Sequence, residues 1–196
     1  TDIYDDPDFV HHILRLSTNA YISVSKVLKQ AIGETLNSGY HTVLYMENGG
    51  VRCCEDTTTL LSPKTCREFV APYTSSALKP FDGGWVHFCG SGHHLLRDLL
   101  SMPEVKGINF GNPERYDYYF TIHLILDYQK FYFGNFPREK GESLEDYFRR
   151  ILRPFTERGT RRGIIFTPLS DDLPEGERYP EKVLDLWYSL QDELIK

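Results

Sequence analysis

The sequence predicts an α/β fold with parallel strands, and three observations support this. Short strand-length segments alternate with segments of helical periodicity from about residue 85 to the end of the chain. The strand segments are mostly apolar, which is typical of parallel strands covered by helices on both faces. The connections are short, and no repeat, low-complexity stretch or linker divides the chain. We therefore expect a single domain over residues 1–196.

The predicted elements follow one another in a regular order. Residues 6–33, DPDFVHHILRLSTNAYISVSKVLKQAIG, carry a helical apolar period that ends at Gly33. Two strand candidates, HTVLYME (41–47) and VRCCED (51–56), flank a turn at residues 48–50. A helix over 62–78 begins with Ser62 as its N-cap and Pro63 at its first position. Four strand–helix pairs follow, with strands at WVHFC, VKGINF, KFYFG and RGIIFTP.

The number of predicted βα units limits which parallel-sheet architectures are possible. We count about five βα units, whereas a closed (β/α)8 barrel has eight and takes about 250 residues. The chain also begins with a helix that no strand precedes. The count leaves two architectures open, an open parallel sheet and part of a barrel.

Composition restricts the function classes. The 196 residues are 40% hydrophobic and 26% charged, as in a soluble globular protein. No apolar run approaches the roughly 18 residues of a membrane span, and the acidic start TDIYDDPDF is unlike a targeting peptide. A net charge of -6 argues against nucleic-acid or membrane partners. Four cysteines without a CxxC motif predict reduced thiols and a cytoplasmic location.

The segment GGWVHFCGSGHH, residues 83–94, carries the first candidate site. Side chains alternate along a strand, so His87 and Cys89 share one face. Both stand near the C-terminal end of the strand, where parallel α/β folds bind ligands. Imidazole and thiolate suit zinc, although zinc takes three or four ligands. Two other interpretations stay open: a thiol nucleophile activated by the imidazole, and a core cysteine beside a hydrogen-bonded histidine.

Two carboxylates, Glu55 and Asp56, stand at the end of another strand candidate, VRCCED. Cys53 and Glu55 are predicted to point one way, and Cys54 and Asp56 the other. One of the two carboxylates is therefore expected to face a site, as a metal ligand or as an acid or base. The loop FTPLSDD also follows a strand and offers Ser170. An arginine cluster over residues 149–162 either binds a polycarboxylate or forms a solvated helix face.

Three segments resemble the later part of the uroporphyrinogen decarboxylase superfamily, which includes zinc-dependent corrinoid methyltransferases. They are DPDFVHHILRL, GGVRCCEDTTTLLSPKTCREFVAPY and GGWVHFCGSGHHLLRDLLSMPEVKGINFGNPE. The resemblance covers most of the chain and is strongest from residue 49 to 114. It implies a (β/α)8 barrel with its site at the C-terminal mouth of the strands. It also implies that this chain is the C-terminal portion of the barrel.

The resemblance implies roles for individual residues. His87, Cys89 and Gly90 match an HxCG segment that supplies two zinc ligands in the methyltransferases. The second cysteine of that family falls here at Ser170, so Glu55, Asp56 or Asp171 would have to complete the zinc site. The decarboxylases carry a late histidine, whereas no histidine follows His123 here. Their N-terminal arginine-rich segment and catalytic aspartate have no match either.

The function expected from the sequence is zinc-assisted methyl transfer between a corrinoid or other methyl donor and a thiol. His87 and Cys89 would hold zinc, Glu55 and Asp56 would be catalytic, and Gly90 and Ser170 would contact a cofactor. A corrinoid protein, a small-molecule substrate and a second copy of the chain are the expected partners. Two alternatives stay open: a cofactor-free decarboxylase of a tetrapyrrole polycarboxylate, and a non-catalytic corrinoid- or substrate-binding domain.

Overall fold

A computed structural model describes residues 2–41, 44–173 and 179–196. The chain forms two compact units, Thr1–Gly111 and Asn112–Lys196. The helices are α1 Asp2–Asp5, α2 Pro7–Ile32, α3 Pro63–Phe69, α4 Ala71–Leu78, α5 Leu96–Ser101, α6 Tyr118–Asp127, α7 Leu144–Glu157 and α8 Pro180–Leu194. The strands are β1 Gly39–His41, β2 Leu44–Met46, β3 Val51–Cys54, β4 Gly84–Phe88, β5 Val105–Phe110, β6 Phe131–Gly134 and β7 Ile164–Phe166.

The first unit is built around three parallel strands in the order β3–β4–β5. The chain reaches β4 through α3 and α4, and β5 through α5, as parallel strands require. The apolar side chains of the strands and helices form the core, in which Leu78, Phe81, Val86, Phe88 and Ile108 are fully buried. Burial of these side chains is the main source of stability for the sheet.

The second unit contains the parallel pair β6 and β7, with α6, α7 and α8. Ser143 caps α7 by accepting a hydrogen bond from the Asp146 N–H at 3.1 Å. The apolar face of α7 contributes Tyr147, Phe148 and Phe155 to the core of this unit, where each is at most 1% exposed. Among the described residues, the two units together hold five parallel strands, each followed by a helix, so the predicted α/β class is confirmed.

Two predicted elements were wrong in detail. The segment HTVLYME is not one strand, because β1 and β2 form a small antiparallel hairpin in which Tyr40 faces Tyr45. Thr42 and Val43, between these strands, lie outside the described residues. The single helix predicted over 62–78 is interrupted at Val70. Pro72 explains the break, because proline has no N–H for the helical bond and its ring clashes with the preceding turn.

The helix α2 ends as the sequence predicts. Gly33 adopts the left-handed conformation at φ 79°, and its N–H bonds to the last turn of the helix. Within the ranges that the structure describes, none of the helices is both long enough and apolar enough to cross a membrane.

Candidate metal centre

The C-terminal ends of β3, β4 and β5 bring three polar side chains into one row. Cys54 pairs with His87 across β3 and β4, and His87 pairs with Asn109 across β4 and β5. Directly paired residues on neighbouring strands point to the same face of a sheet. The row therefore lies on one face at the strand ends, which is where ligands bind in parallel α/β folds.

His87 is held in a defined orientation by Asn109. The ring Nδ1 forms a hydrogen bond with Asn109 Oδ1. Since an amide oxygen only accepts hydrogen bonds, Nδ1 is the donor in this pair, and Nε2 on the other side of the ring faces Asp56 and Cys89. That nitrogen lies 3.7 Å from Asp56 Oδ1 and 3.6 Å from Cys89 Sγ. Fixing a ligating histidine through its other nitrogen is a general feature of metal sites.

Asp56 reaches this group because the chain turns at the end of β3. The residues Asp56–Leu60 form a 3-10 turn that starts two residues after the strand ends. Asp56 Oδ1 accepts a hydrogen bond of 2.7 Å from the backbone N–H of Cys89. This hydrogen bond is the main reason why the pKa of Asp56 is lowered. The carboxylate is therefore ionised at neutral pH and fixed beside His87.

Cys89 follows β4 directly and is exposed. Partial desolvation and the neighbouring Asp56 carboxylate raise the pKa of its thiol. Gly111 leaves space for the sulfur, because a Cβ at that position would lie 2.4 Å from Cys89 Sγ. Gly90 continues the chain at φ 84°, a conformation that favours glycine.

Three side-chain atoms of kinds that bind zinc lie close together at these strand ends. Asp56, His87 and Cys89 each offer one ligand atom, and these atoms lie within 4.8 Å of one another. Around tetrahedral zinc, with bonds of about 2.0–2.3 Å, two ligand atoms stand about 3.3–3.6 Å apart. His87 Nε2 lies 3.6 Å from Cys89 Sγ and 3.7 Å from Asp56 Oδ1, within a few tenths of an ångström of that spacing. Oxygen, nitrogen and sulfur are also the ligand types that zinc accepts.

Glu55, the other carboxylate predicted for the site, has a different environment. Its side chain is buried, and Oε1 accepts a hydrogen bond from the Thr74 hydroxyl of α4. Its Oε2 is buried without a hydrogen-bond partner among the described residues. Burial raises the pKa of this carboxyl, partly offset by Thr74. The contact of Glu55 with His87 is through the backbone: the Glu55 N–H donates a hydrogen bond of 2.7 Å to the His87 carbonyl oxygen. Asp56 therefore faces the centre, and the Glu55 side chain packs against the helices.

The two residues predicted to contact a cofactor lie in different units. Gly90 is in the first unit beside Cys89, and a Cβ there would lie 3.3 Å from the Thr59 hydroxyl. Ser170 is in the second unit, at the start of a 3-10 turn, and is exposed. Its hydroxyl lies 3.5 Å from the Asp171 carboxylate. A cofactor contact by Gly90 or Ser170 stays a prediction.

The sequence analysis gave no role to two neighbours of the centre. Asn109 orients His87, and Cys54 is its exposed neighbour on β3. The strand segment VKGINF contains the signal for Asn109, since a polar residue near the end of an apolar strand is conspicuous. Which neighbour it meets depends on the register of β4 and β5, which the segment VKGINF alone does not specify.

Comparison with known proteins finds no family model that matches the chain and no significant match among curated proteins.

Proposed function

We propose that this chain is the C-terminal portion of a (β/α)8 barrel of the uroporphyrinogen decarboxylase superfamily, and that it performs zinc-assisted methyl transfer to a thiol. The observation that carries the proposal is the Asp56, His87 and Cys89 group at the strand ends. Three protein ligands are typical of catalytic zinc sites, which keep a fourth position for substrate. The methyl donor would be a corrinoid, carried by a partner protein, or another methyl compound.

Each residue of the centre has a distinct role in this proposal. Asp56, His87 and Cys89 would hold the metal, and Asn109 would keep His87 Nε2 directed at it. Zinc bound there would lower the pKa of a substrate thiol and so provide a thiolate for alkylation at neutral pH. Asp56 also fixes the Cys89 backbone through its hydrogen bond, so the ligand geometry is set before a metal binds.

The arginine cluster does not favour the decarboxylase alternative. A polycarboxylate needs cationic side chains that are free to bind it, and most arginines of the cluster already pair with carboxylates of the second unit. Arg149 pairs with Glu145 and Glu193, Arg150 with Glu142, Arg153 with Glu157, Arg158 with Asp127 and Arg161 with Asp192. These pairs support the interpretation of the cluster as a solvated surface.

The cysteines support a cytoplasmic location in this proposal. Cys53, Cys54, Cys66 and Cys89 all carry free thiols. Burial is the main reason why the pKa of the Cys53 thiol is raised to about 12, so this side chain is unreactive. A reducing compartment keeps such thiols available, including the one that would bind zinc.

A transfer assay tests the proposal. The zinc-loaded protein is incubated with methylcobalamin and 2-mercaptoethanol, and the methyl thioether is measured by mass spectrometry. We expect formation above the rate with free zinc, and loss of that excess in Cys89→Ser, while Cys53→Ser on the opposite face of β3 retains it. Equal rates in the wild type and Cys89→Ser would refute the proposal. Metal-independent consumption of uroporphyrinogen would support the decarboxylase instead, and corrinoid binding without turnover would support the binding domain.

A further inference from the structure

Cys54 places a second thiol beside the candidate metal centre. It is the last residue of β3, and it pairs directly with His87 on β4. Because directly paired residues of neighbouring strands point to the same face of a sheet, its side chain shares a face with the His87 imidazole. Both strands belong to the first unit and pair with each other, so this placement does not depend on what lies beyond the edges of the sheet.

The adjacent cysteine, Cys53, has the opposite orientation. Successive side chains of a strand point to opposite faces, so Cys53 is directed away from His87. It is half-buried, whereas Cys54 is exposed. Of these two adjacent thiols, Cys54 is therefore the one that faces the centre, and Cys53 is its matched control.

The spacing of Cys54 and Cys89 suits a shared metal ion better than a disulfide. Cys89 lies two residues beyond His87, so a strand spacing of about 4.8 Å and a rise of about 3.3 Å per residue place the two Cα atoms about 8 Å apart. A disulfide needs Cα atoms within about 7 Å of each other. A zinc ion spans the larger gap, because two bonds of about 2.3 Å separate the sulfurs. Desolvation, then Asp56, then Cys54 raise the pKa of the Cys89 thiol, which agrees with neighbouring sulfurs.

We propose that Cys54 is the fourth ligand of the metal centre until a substrate thiol replaces it. This inference rests on the proposed function and adds the residue that fills the fourth position. Tetrahedral zinc takes four ligands, and Asp56, His87 and Cys89 provide three. Cys54 lies outside that group of three, but rotation about its Cα–Cβ bond from one staggered position to the next moves the sulfur by about 3 Å. Cys54 therefore completes a site whose ion the other three residues hold.

Charge favours an exchange of Cys54 for a substrate thiol. The Cys54 sulfur binds as a thiolate, as metal ligation requires. A substrate thiol that takes its place passes its proton to the Cys54 sulfur as that sulfur leaves. One thiolate then replaces another, so the net charge of the centre is unchanged and no other base is needed. Asp56 and Cys89 keep their places throughout.

Cobalt(II) in place of zinc counts the thiolate ligands. Its charge-transfer absorption in the near ultraviolet grows with the number of bound thiolates. Cys54→Ser should still bind cobalt but lose about half of this absorption, because one of two thiolates is gone. Cys53→Ser should keep all of it, and circular dichroism checks that both variants are folded. X-ray absorption by the zinc-loaded proteins should show two sulfurs at about 2.3 Å in the wild type and one in Cys54→Ser.

Added thiol tests the exchange itself. 2-Mercaptoethanol should restore the lost absorption of cobalt-loaded Cys54→Ser, and it should leave the wild type unchanged because one thiolate replaces another. Equal absorption in the wild type and Cys54→Ser, or no restoration by the added thiol, would overturn the inference and leave the three-ligand centre in place. If Cys89→Ser also absorbed like the wild type, the centre itself would be wrong, and the proposed function would fail with it.

Discussion

Replacing His87 with alanine is expected to abolish tight zinc binding. The change removes one of the three proposed ligands and leaves Asp56 and Cys89, which are too few to hold the ion. Replacing Asn109 with alanine leaves every ligand in place but frees the imidazole ring. That change should lower the affinity by about 10–100-fold, as is usual for partners that orient a ligand.

Competition with a chromophoric chelator measures these affinities. His94→Ala is the control, because His94 is an exposed histidine whose Nε2 lies 3.0 Å from the Leu61 carbonyl, outside the group of three. It should bind zinc like the wild type. If His87→Ala bound zinc within threefold of the wild type, or if His94→Ala were equally weakened, the assignment of ligands would be wrong.

Gly50→Ala is expected to cause the largest loss of stability. Gly50 precedes β3 at φ 67°, and a Cβ there would lie 1.8 Å from the carbonyl oxygen of Gly83, the residue before β4. Because that neighbour is backbone, the two strands would have to separate. The free energy of unfolding should fall by more than about 3 kcal/mol, a large part of the stability of a typical domain.

Gly33→Ala separates the two causes of this loss. Gly33 also has a positive φ, but no atom lies within 4 Å of a Cβ placed there. Its substitution should therefore cost only the conformational term of about 1–2 kcal/mol. Urea unfolding followed by circular dichroism gives both values. Equal losses in the two variants would show that strand contact does not determine the effect.

Most of the fold could be predicted because its signals are local. The strand VKGINF and the helix stop at Gly33 depend on residues that adjoin them in sequence. The antiparallel pairing of β1 with β2 was missed because the sequence has no glycine or proline between residues 41 and 44 to divide the segment HTVLYME. The break between α3 and α4 at Val70 was missed because the helical spacing of apolar residues continues through it. Pro72 is the signal in the sequence that indicates this break.

The candidate centre could be predicted only in part. Alternation along β4 placed His87 and Cys89 together, whereas the choice between Glu55 and Asp56 depended on how the chain leaves β3. The 3-10 turn beginning at Asp56 directs that carboxylate to the Cys89 N–H, and such a turn has no strong sequence signature. The contact of Asn109 depends on strand register, which is a tertiary property.

Elemental analysis of zinc per chain is the most direct test of the centre formed by Asp56, His87 and Cys89. Wild type and Cys89→Ser are produced with zinc in the medium and without chelator. Cys66→Ser is the control, since Cys66 is buried in α3 outside the centre. We expect up to one zinc per chain in the wild type and in Cys66→Ser, and close to none in Cys89→Ser. Near-zero zinc in all three proteins would contradict the metal centre and remove the basis for thiol activation.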